Sequence, residues 1–140
     1  MNRSAKGVNL VAILHAAHDA ESQLEAKLNA VGLSLAKLAA LKTLAEAGDS
    51  LPLSQLAERL SCVKSNITQL VDRLEVDGLV TRQADPHDRR TRLAALTAAG
   101  RKACDEGIRV QQDAERRLLT RLSAREAEQL AALLAKFGGS

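Results

Sequence analysis

Apolar residues recur at steps of three and four along most of this chain, which predicts a mostly helical protein. The first such stretch covers residues 8–31 and predicts one long helix that ends at Gly32, with Glu21 interrupting its apolar seam. A second helix is expected from a cap at Ser34 to Ala47. The seam of the first helix consists of Leu10, Leu14, Ala17, Leu24, Leu28 and Val31.

The middle of the chain predicts two further helices. Leu51 could form a short strand, and Pro52 prevents a helix at that point. Helices are then expected over residues 54–60 and 64–76, separated by a turn over residues 61–63. The buried face of the second of these helices follows the helical repeat and consists of Ile67, Leu70, Val71 and Leu74.

Alternating residues predict a β-hairpin after Gly78, the expected end of the preceding helix. Its strands are expected over residues 79–83 and 91–96, with a loop of the seven residues 84–90 between them. Within the loop, Asp85-Pro86 predicts a turn.

Two more helices are expected at the C-terminal end. The first covers residues 98–120, although Gly100 and Gly107 weaken the helical pattern. Ser123 and Glu126 form a capping-box sequence that predicts the start of the last helix. The chain has no internal repeat or linker, so we expect one unit. The apolar stripes of the terminal helices exceed what a small central module needs, which favours pairing with a second copy.

Composition and charge narrow the function classes. The chain of 140 residues is 46% hydrophobic and 26% charged, as in ordinary soluble proteins, and Phe137 is its single aromatic residue. This scarcity argues against a protein that stacks single-stranded bases. The formal net charge is +3, but residues 82–102 carry six cations and two acids, 6 − 2 = +4, so this segment accounts for the whole excess and the remainder is about neutral. Such clustering is typical of phosphate contact; the alternative is a solvated basic face.

No apolar run is long enough for a membrane span, and Asn9, His15 and His18 interrupt the N-terminal segment where a signal peptide would be continuous. Cys62 and Cys104 show neither metal-type nor redox-type spacing. We therefore expect a cytoplasmic protein with reduced thiols, without a cofactor or a bound metal.

Polar residues on the 64–76 helix are candidates for reading DNA. In a helix-turn-helix the second helix enters the major groove, where Asn and Gln bind adenine, Arg binds guanine, and Lys and Ser suit phosphates. The alternative is that any surface helix carries such residues. The candidates are Lys64, Ser65, Asn66, Thr68, Gln69 and Arg73.

The loop of the hairpin carries Arg89 and Arg90, preceded by Asp88. A solvated turn has no need of guanidinium groups, whereas a narrow minor groove attracts an inserted arginine through its negative potential. We expect Asp88 to hold the side chain of Arg90 extended. A plain solvated turn is the alternative.

The chain resembles the MarR family of winged-helix regulators, in Leu56-Ala57-Glu58-Arg59-Leu60, Val71-Asp72-Arg73-Leu74-Glu75, Gly78-Leu79-Val80, Asp85-Pro86-His87-Asp88-Arg89-Arg90 and Leu96-Thr97-Ala98-Ala99-Gly100. The resemblance implies a mostly α, winged helix-turn-helix fold with a core at 33–97 and dimerisation helices at 1–32 and 98–140. It also implies an obligate homodimer on pseudo-palindromic double-stranded DNA, usually a repressor, with Arg90 in the minor groove and Asp88 supporting it. His87 and Val63 depart from the family pattern, where arginine and a serine or threonine cap are common.

The resemblance also implies release of DNA by an effector, usually a small anionic molecule, an oxidant or a metal. The candidates for an anionic ligand are His15, His18 and Arg82, with Thr68 beside them; the favoured alternative for each histidine is a plain exposed or core side chain. A metal at His15 and His18 would need two further ligands that the sequence does not supply. Redox sensing would rest on Cys62, but packing as a small hydrophobic residue is the favoured interpretation there. No acid–base or nucleophilic set indicates an enzyme. The rival function is a protein-interaction module that does not bind DNA.

Overall fold

The computed structural model describes residues 7–60 and 64–138, without the side chains of Lys64 and Ser65. Within these ranges the chain forms helices and a small sheet, as the apolar pattern predicts. In chain order the elements are α1 (Leu10–Asn29), α2 (Leu35–Glu46), β1 (Ser50–Pro52), α3 (Leu53–Leu60), α4 (Lys64–Val76), β2 (Val80–Asp85), β3 (Asp88–Leu96), α5 (Ala98–Leu119) and α6 (Ala124–Phe137).

Helices α1, α2, α5 and α6 begin at side-chain caps, two of which the sequence predicts. The Ser34 hydroxyl accepts the Lys37 amide at 3.1 Å at the start of α2. At the start of α6, Ser123 and Glu126 form both hydrogen bonds of the predicted capping box. The N-terminal cap of α1, Asn9, is not predicted by the sequence pattern; its side chain accepts the Ala12 amide at 2.8 Å.

The three strands form an antiparallel sheet in the order β1-β3-β2. The predicted seven-residue loop over residues 84–90 is wrong, because β2 continues to Asp85 and β3 begins at Asp88. Arg89 and Arg90 therefore belong to a strand and not to a loop tip. The outer half of the hairpin faces solvent on both sides, so no apolar alternation marks its strands in the sequence.

The hydrophobic core surrounds α2, which packs against α1, α3, α4, α5 and the sheet. The predicted inner face of α4 lies in this core: Ile67, Val71 and Leu74 are buried and Leu70 is half-buried. The largest fully buried side chains are Leu28, Leu38, Leu41, Leu44, Leu56, Leu74, Val71 and Val80. Most of them come from helices that carry the predicted apolar repeat.

Gly100 brings the start of α5 against the turn that follows α4. A Cβ atom on Gly100 would lie 2.1 Å from the Leu79 carbonyl oxygen. The Thr97 hydroxyl caps α5 by accepting the Gly100 amide at 2.9 Å and donates to the Gly78 carbonyl at 2.7 Å. The sequence pattern treats Gly100 only as a weak point of the helix, whereas in the fold it permits a close contact.

The terminal helices leave large apolar side chains exposed. Leu10 near the start of α1 is 69% exposed and Phe137 at the end of α6 is 67% exposed, and α6 buries none of its residues. In the single chain these two helices therefore present an apolar surface without a covering layer. In the described ranges, no helix combines the length and apolar character that crossing a membrane requires.

We predict that Gly100→Ala destabilises the protein, although alanine improves helix propensity by about 1 kcal/mol. The overlap of the new Cβ with the Leu79 carbonyl should produce a net loss of about 1–3 kcal/mol in the free energy of unfolding. Urea denaturation measures this loss. Gly107→Ala is the matched control, since the atoms nearest to a Cβ there are side-chain methyl groups of Leu33 and Leu38 and not backbone, so it should cost less. A more stable Gly100→Ala protein would contradict the close contact.

Candidate nucleic-acid interface

The solvent side of α4 presents the polar stripe that the sequence predicts. Asn66, Gln69 and Arg73 are exposed and share one face of the helix at steps of three and four residues. Thr68 is also exposed but lies on the neighbouring face, towards β2. The backbone of Lys64 and Ser65 forms the first turn of α4. The stripe can therefore offer amide and guanidinium groups to a groove.

Two aspartates organise the turn and the outer end of the hairpin. The Asp85 carboxylate accepts the His87 amide at 2.8 Å, which closes the predicted turn. The Asp88 carboxylate accepts the Arg90 amide at 3.0 Å and the Thr91 hydroxyl at 3.0 Å. The expectation that Asp88 holds the Arg90 side chain is therefore wrong: within the described residues Asp88 forms no ion pair with Arg90, and its carboxylate instead fixes the backbone of Arg90 by accepting its amide.

The basic cluster of residues 82–102 divides into paired and unpaired cations. Arg82 binds acids of α4, and Arg101 forms an ion pair with Asp49. In the part of the chain that the structure covers, the other four cations form no ion pair, and three of them lie on the exposed outer half of β3. These four are Arg89, Arg90, Arg92 and Lys102. The positive charge that remains available is thus concentrated on the hairpin.

A cleft of about 300 Å³ lies between this hairpin and the start of α3. Arg90 and Arg92 line one side of it, and Pro52 and Ser54 line the other. The two arginines are two residues apart on one strand and share a face of the hairpin. The cleft therefore leaves room beside both guanidinium groups for an anionic partner such as a phosphate backbone.

Arg82 connects β2 with α4 through two carboxylates. Its guanidinium is 2.7 Å from Asp72 Oδ1 and 2.7 Å from Glu75 Oε1, and it donates to the Thr68 carbonyl at 3.4 Å. The hydrogen bond with Asp72 is the main cause that raises the pKa of Arg82, and Glu75 raises it further. The charge of Arg82 is thus compensated by two acids of α4, and its expected role as the cation for an anionic effector stays a prediction.

His15 and His18 lie exposed on the N-terminal part of α1, which packs on α5 and α2. His18 Nε2 is 3.4 Å from the Ser22 hydroxyl. The structure does not bring these histidines to Arg82, whose partners are on α4. A cavity of about 400 Å³ between α1 and the α5–α6 region is lined by residues such as Ala20, Leu118 and Leu130 and by neither histidine. Among the described residues, no cluster of three His, Cys, Asp or Glu side chains could hold a metal.

The two cysteines differ in what the structure describes. Cys62, the candidate redox residue, and Val63 lie outside the described residues. Cys104 is buried in the core, and this burial raises the pKa of its thiol, as does the charge of Asp105. A protonated, buried thiol is a packing group, as the sequence reasoning expects for Cys104.

Sequence reasoning missed Asp72 and Glu75 as parts of the site. Their spacing of three residues on one helix face was visible in the sequence, as was Arg82 on the next element. No local rule, however, links an acid pair on a helix to a strand residue seven to ten positions later. The contact depends on how the turn at Gly78 returns the chain along α4.

Comparisons with solved structures match the whole architecture. A probable transcriptional regulator from Pseudomonas aeruginosa superimposes with a TM-score of 0.82 at 32% identity, over 96% of this chain and 99% of that one. A cysteine-to-serine variant of MarR from Escherichia coli, solved with operator DNA, superimposes with a TM-score of 0.81 at 25% identity, over 98% of this chain and 99% of that one. These likenesses confirm the expected winged-helix fold.

Sequence comparisons match part of the chain. The model of the MarR family matches residues 33–91. YkoM, an uncharacterized HTH-type transcriptional regulator from Bacillus subtilis, is 36% identical over 86 residues, which are 61% of this chain and 56% of that protein. The chain thus spans just over half the length of this curated relative. The matched segment includes α4 and most of the hairpin.

Proposed function

Because the chain belongs to the MarR family of transcriptional regulators, we propose that it is a homodimeric, sequence-specific regulator that binds double-stranded DNA and acts as a repressor. Residues 33–97 form the DNA-binding core in this proposal, and residues 1–32 and 98–140 form the dimer. It is a binding protein and not an enzyme. The observation that carries the proposal is the pairing of an exposed polar stripe on α4 with a hairpin that bears unpaired arginines.

In this proposal α4 enters the major groove. Asn66, Gln69 and Arg73 supply the amide and guanidinium groups that read base edges, while Lys64, Ser65 and Thr68 contact the backbone or neighbouring bases. The exposure of the stripe and the burial of the opposite face of α4 support this placement. The structure of the similar MarR protein with operator DNA supports the choice of ligand.

The hairpin supplies the second DNA contact. Arg90 enters the adjacent minor groove, and Arg89 lies beside it on the opposite face of the strand. Asp88 stabilises this arrangement by accepting the backbone amide of Arg90, so the strand is ordered before DNA binds. Order in the free protein reduces the entropy that binding costs.

The apolar surface of the terminal helices supports the homodimer. Leu10, Val11 and Leu14 on α1 and Leu133 and Leu134 on α6 are all more than half exposed in the single chain. A second copy that covers them would place two recognition helices on one duplex, which matches the symmetry of a pseudo-palindromic site. Effector release stays a prediction, with His15, His18 and Arg82 as the candidates for an anionic ligand and Cys62 for an oxidant.

We predict that Arg90→Ala weakens binding to the operator by about 1–3 kcal/mol and lowers the salt slope by about one unit. The side chain is exposed and has no ion pair within the described ranges, so the melting temperature should hardly change. Binding titrations at several salt concentrations provide the measurement. Arg109→Ala, which removes another exposed cation, from α5, is the control and should bind like the wild type. Wild-type affinity of Arg90→Ala would exclude the hairpin as a DNA contact.

We predict that Leu134→Glu converts the dimer into a monomer. Each copy would place an unpaired carboxylate in the apolar interface, at a cost of about 3–5 kcal/mol. Light scattering at micromolar concentration reports the change as a molar mass of one chain instead of two. Ala132→Glu introduces the same charge on the opposite face of α6 and should remain dimeric. A wild-type protein that is monomeric at this concentration would refute the proposed assembly.

A further inference from the structure

Arg82 joins the base of the hairpin to the recognition helix through four hydrogen bonds. Its guanidinium binds Asp72 and Glu75 at 2.7 Å each and donates to the Thr68 carbonyl at 3.4 Å. Its backbone amide also donates to the Glu75 carboxylate, at 3.3 Å. Arg82 pairs in the sheet with Ala94, which is fully buried, so the β2 end of this link is attached to the core. Arg82 and its partners Asp72 and Glu75 are called the clamp below.

The three partners of Arg82 form a separate stripe on α4. Thr68, Asp72 and Glu75 follow one another at steps of four and three residues, which places them on one face of the helix. This face lies between the buried apolar face and the exposed stripe of Asn66, Gln69 and Arg73. Arg82 can therefore hold α4 without occupying the side chains that the proposed function assigns to DNA.

We propose that Arg82, with Asp72 and Glu75, is a positioning residue that fixes the angle between the hairpin and α4, so that both bind DNA as one preorganised unit. The inference rests on the proposed function, since it concerns the two surfaces that this function uses. From Arg82 to Asp85 the strand rises about 10 Å, so a small rotation at the base displaces the hairpin tip. Fixing the base of the hairpin lowers the entropy that is lost when the hairpin and α4 are both ordered on DNA.

The solvent exposure of these ion pairs indicates that they position the hairpin and contribute little to the stability of the fold. The side chains of Asp72 and Glu75 are 57% and 40% exposed, and that of Arg82 is 25% exposed. Ion pairs in such solvated positions contribute little to folding. Their geometric effect is larger, because a planar guanidinium that binds two carboxylates restricts direction as well as distance.

Substitution of the two acids tests the clamp, because the clamp and simple electrostatics predict changes of opposite sign in DNA affinity. Asp72→Asn and Glu75→Gln each remove a negative charge from the helix that would approach the phosphates. Simple electrostatics predicts tighter DNA binding for both variants, since repulsion is reduced. The clamp predicts weaker operator binding, because Arg82 loses a charged partner and the hairpin loses its fixed angle. Glu58→Gln is the charge-matched control, since Glu58 is exposed on α3 and has no ion pair among the described residues.

The experiment compares dissociation constants for an operator duplex, obtained by selection from random sequences, and for a random duplex. We expect Asp72→Asn and Glu75→Gln to weaken operator binding on the order of tenfold while binding random duplex as tightly as the wild type or more tightly. Glu58→Gln should weaken neither. Arg82→Lys should resemble the acid variants, because a compact ammonium does not reproduce the fork between two carboxylates.

A second readout does not require DNA. In the free protein, amide hydrogen exchange in β2 and β3 should be faster in both acid variants, with melting temperatures close to that of the wild type. Unchanged or tighter operator binding by Asp72→Asn and Glu75→Gln would overturn the clamp while leaving the proposed function intact. Unchanged hairpin exchange would also overturn it. Failure of the wild type to bind any selected duplex would instead overturn the proposed function.

Discussion

The burial of one face of α4 is the constraint on which the candidate interface depends. Ile67, Val71 and Leu74 lie in the core, so the rotation of the helix about its axis is fixed. Since a helix repeats every 3.6 residues, that rotation also determines which residues face solvent. Asn66, Gln69 and Arg73 are presented together because the apolar residues beside them are buried. The specificity of the surface thus derives from the same pattern that folds the core.

The hairpin depends on a different kind of constraint. Its inner half is anchored by buried Ala94 and Val80, but its outer half has no core contact. Hydrogen bonds that the backbone amides of His87 and Arg90 donate to Asp85 and Asp88 give the end of the hairpin its shape. Electrostatics determines which cations remain available there, because acids of α4 and the turn before β1 neutralise Arg82 and Arg101. A net charge of +3 therefore underestimates how basic the hairpin is.

Much of the fold follows from local rules in the sequence. The caps at Ser34 and Ser123 and the apolar repeat of α4 set element boundaries that the structure confirms within a few residues. The hairpin was predicted too short because its outer strands are held by backbone pairing, which leaves no apolar alternation in the sequence. Gly100 was misjudged because its role depends on the Leu79 carbonyl of a distant turn.

The candidate site was predictable only where it follows from local sequence rules. The exposed stripe of α4 could be derived from helical periodicity, and the arginines of the hairpin from their position after a turn. The partners of Arg82 and the true ligand of Asp88 could not, because both depend on tertiary distances of a few ångströms. The effector hypothesis illustrates this at Arg82: the sequence identifies a cation but does not show that two acids pair with it.

Selection of bound duplexes from a random-sequence pool tests the central claim most directly, since it requires both contacts and both copies of the chain. The account predicts one enriched, two-fold symmetric motif whose half-sites lie about 10–10.5 base pairs apart. It also predicts A·T-rich positions where the arginines of the hairpin reach the minor groove. Enrichment of an asymmetric motif, or no enrichment over the starting pool, would contradict it.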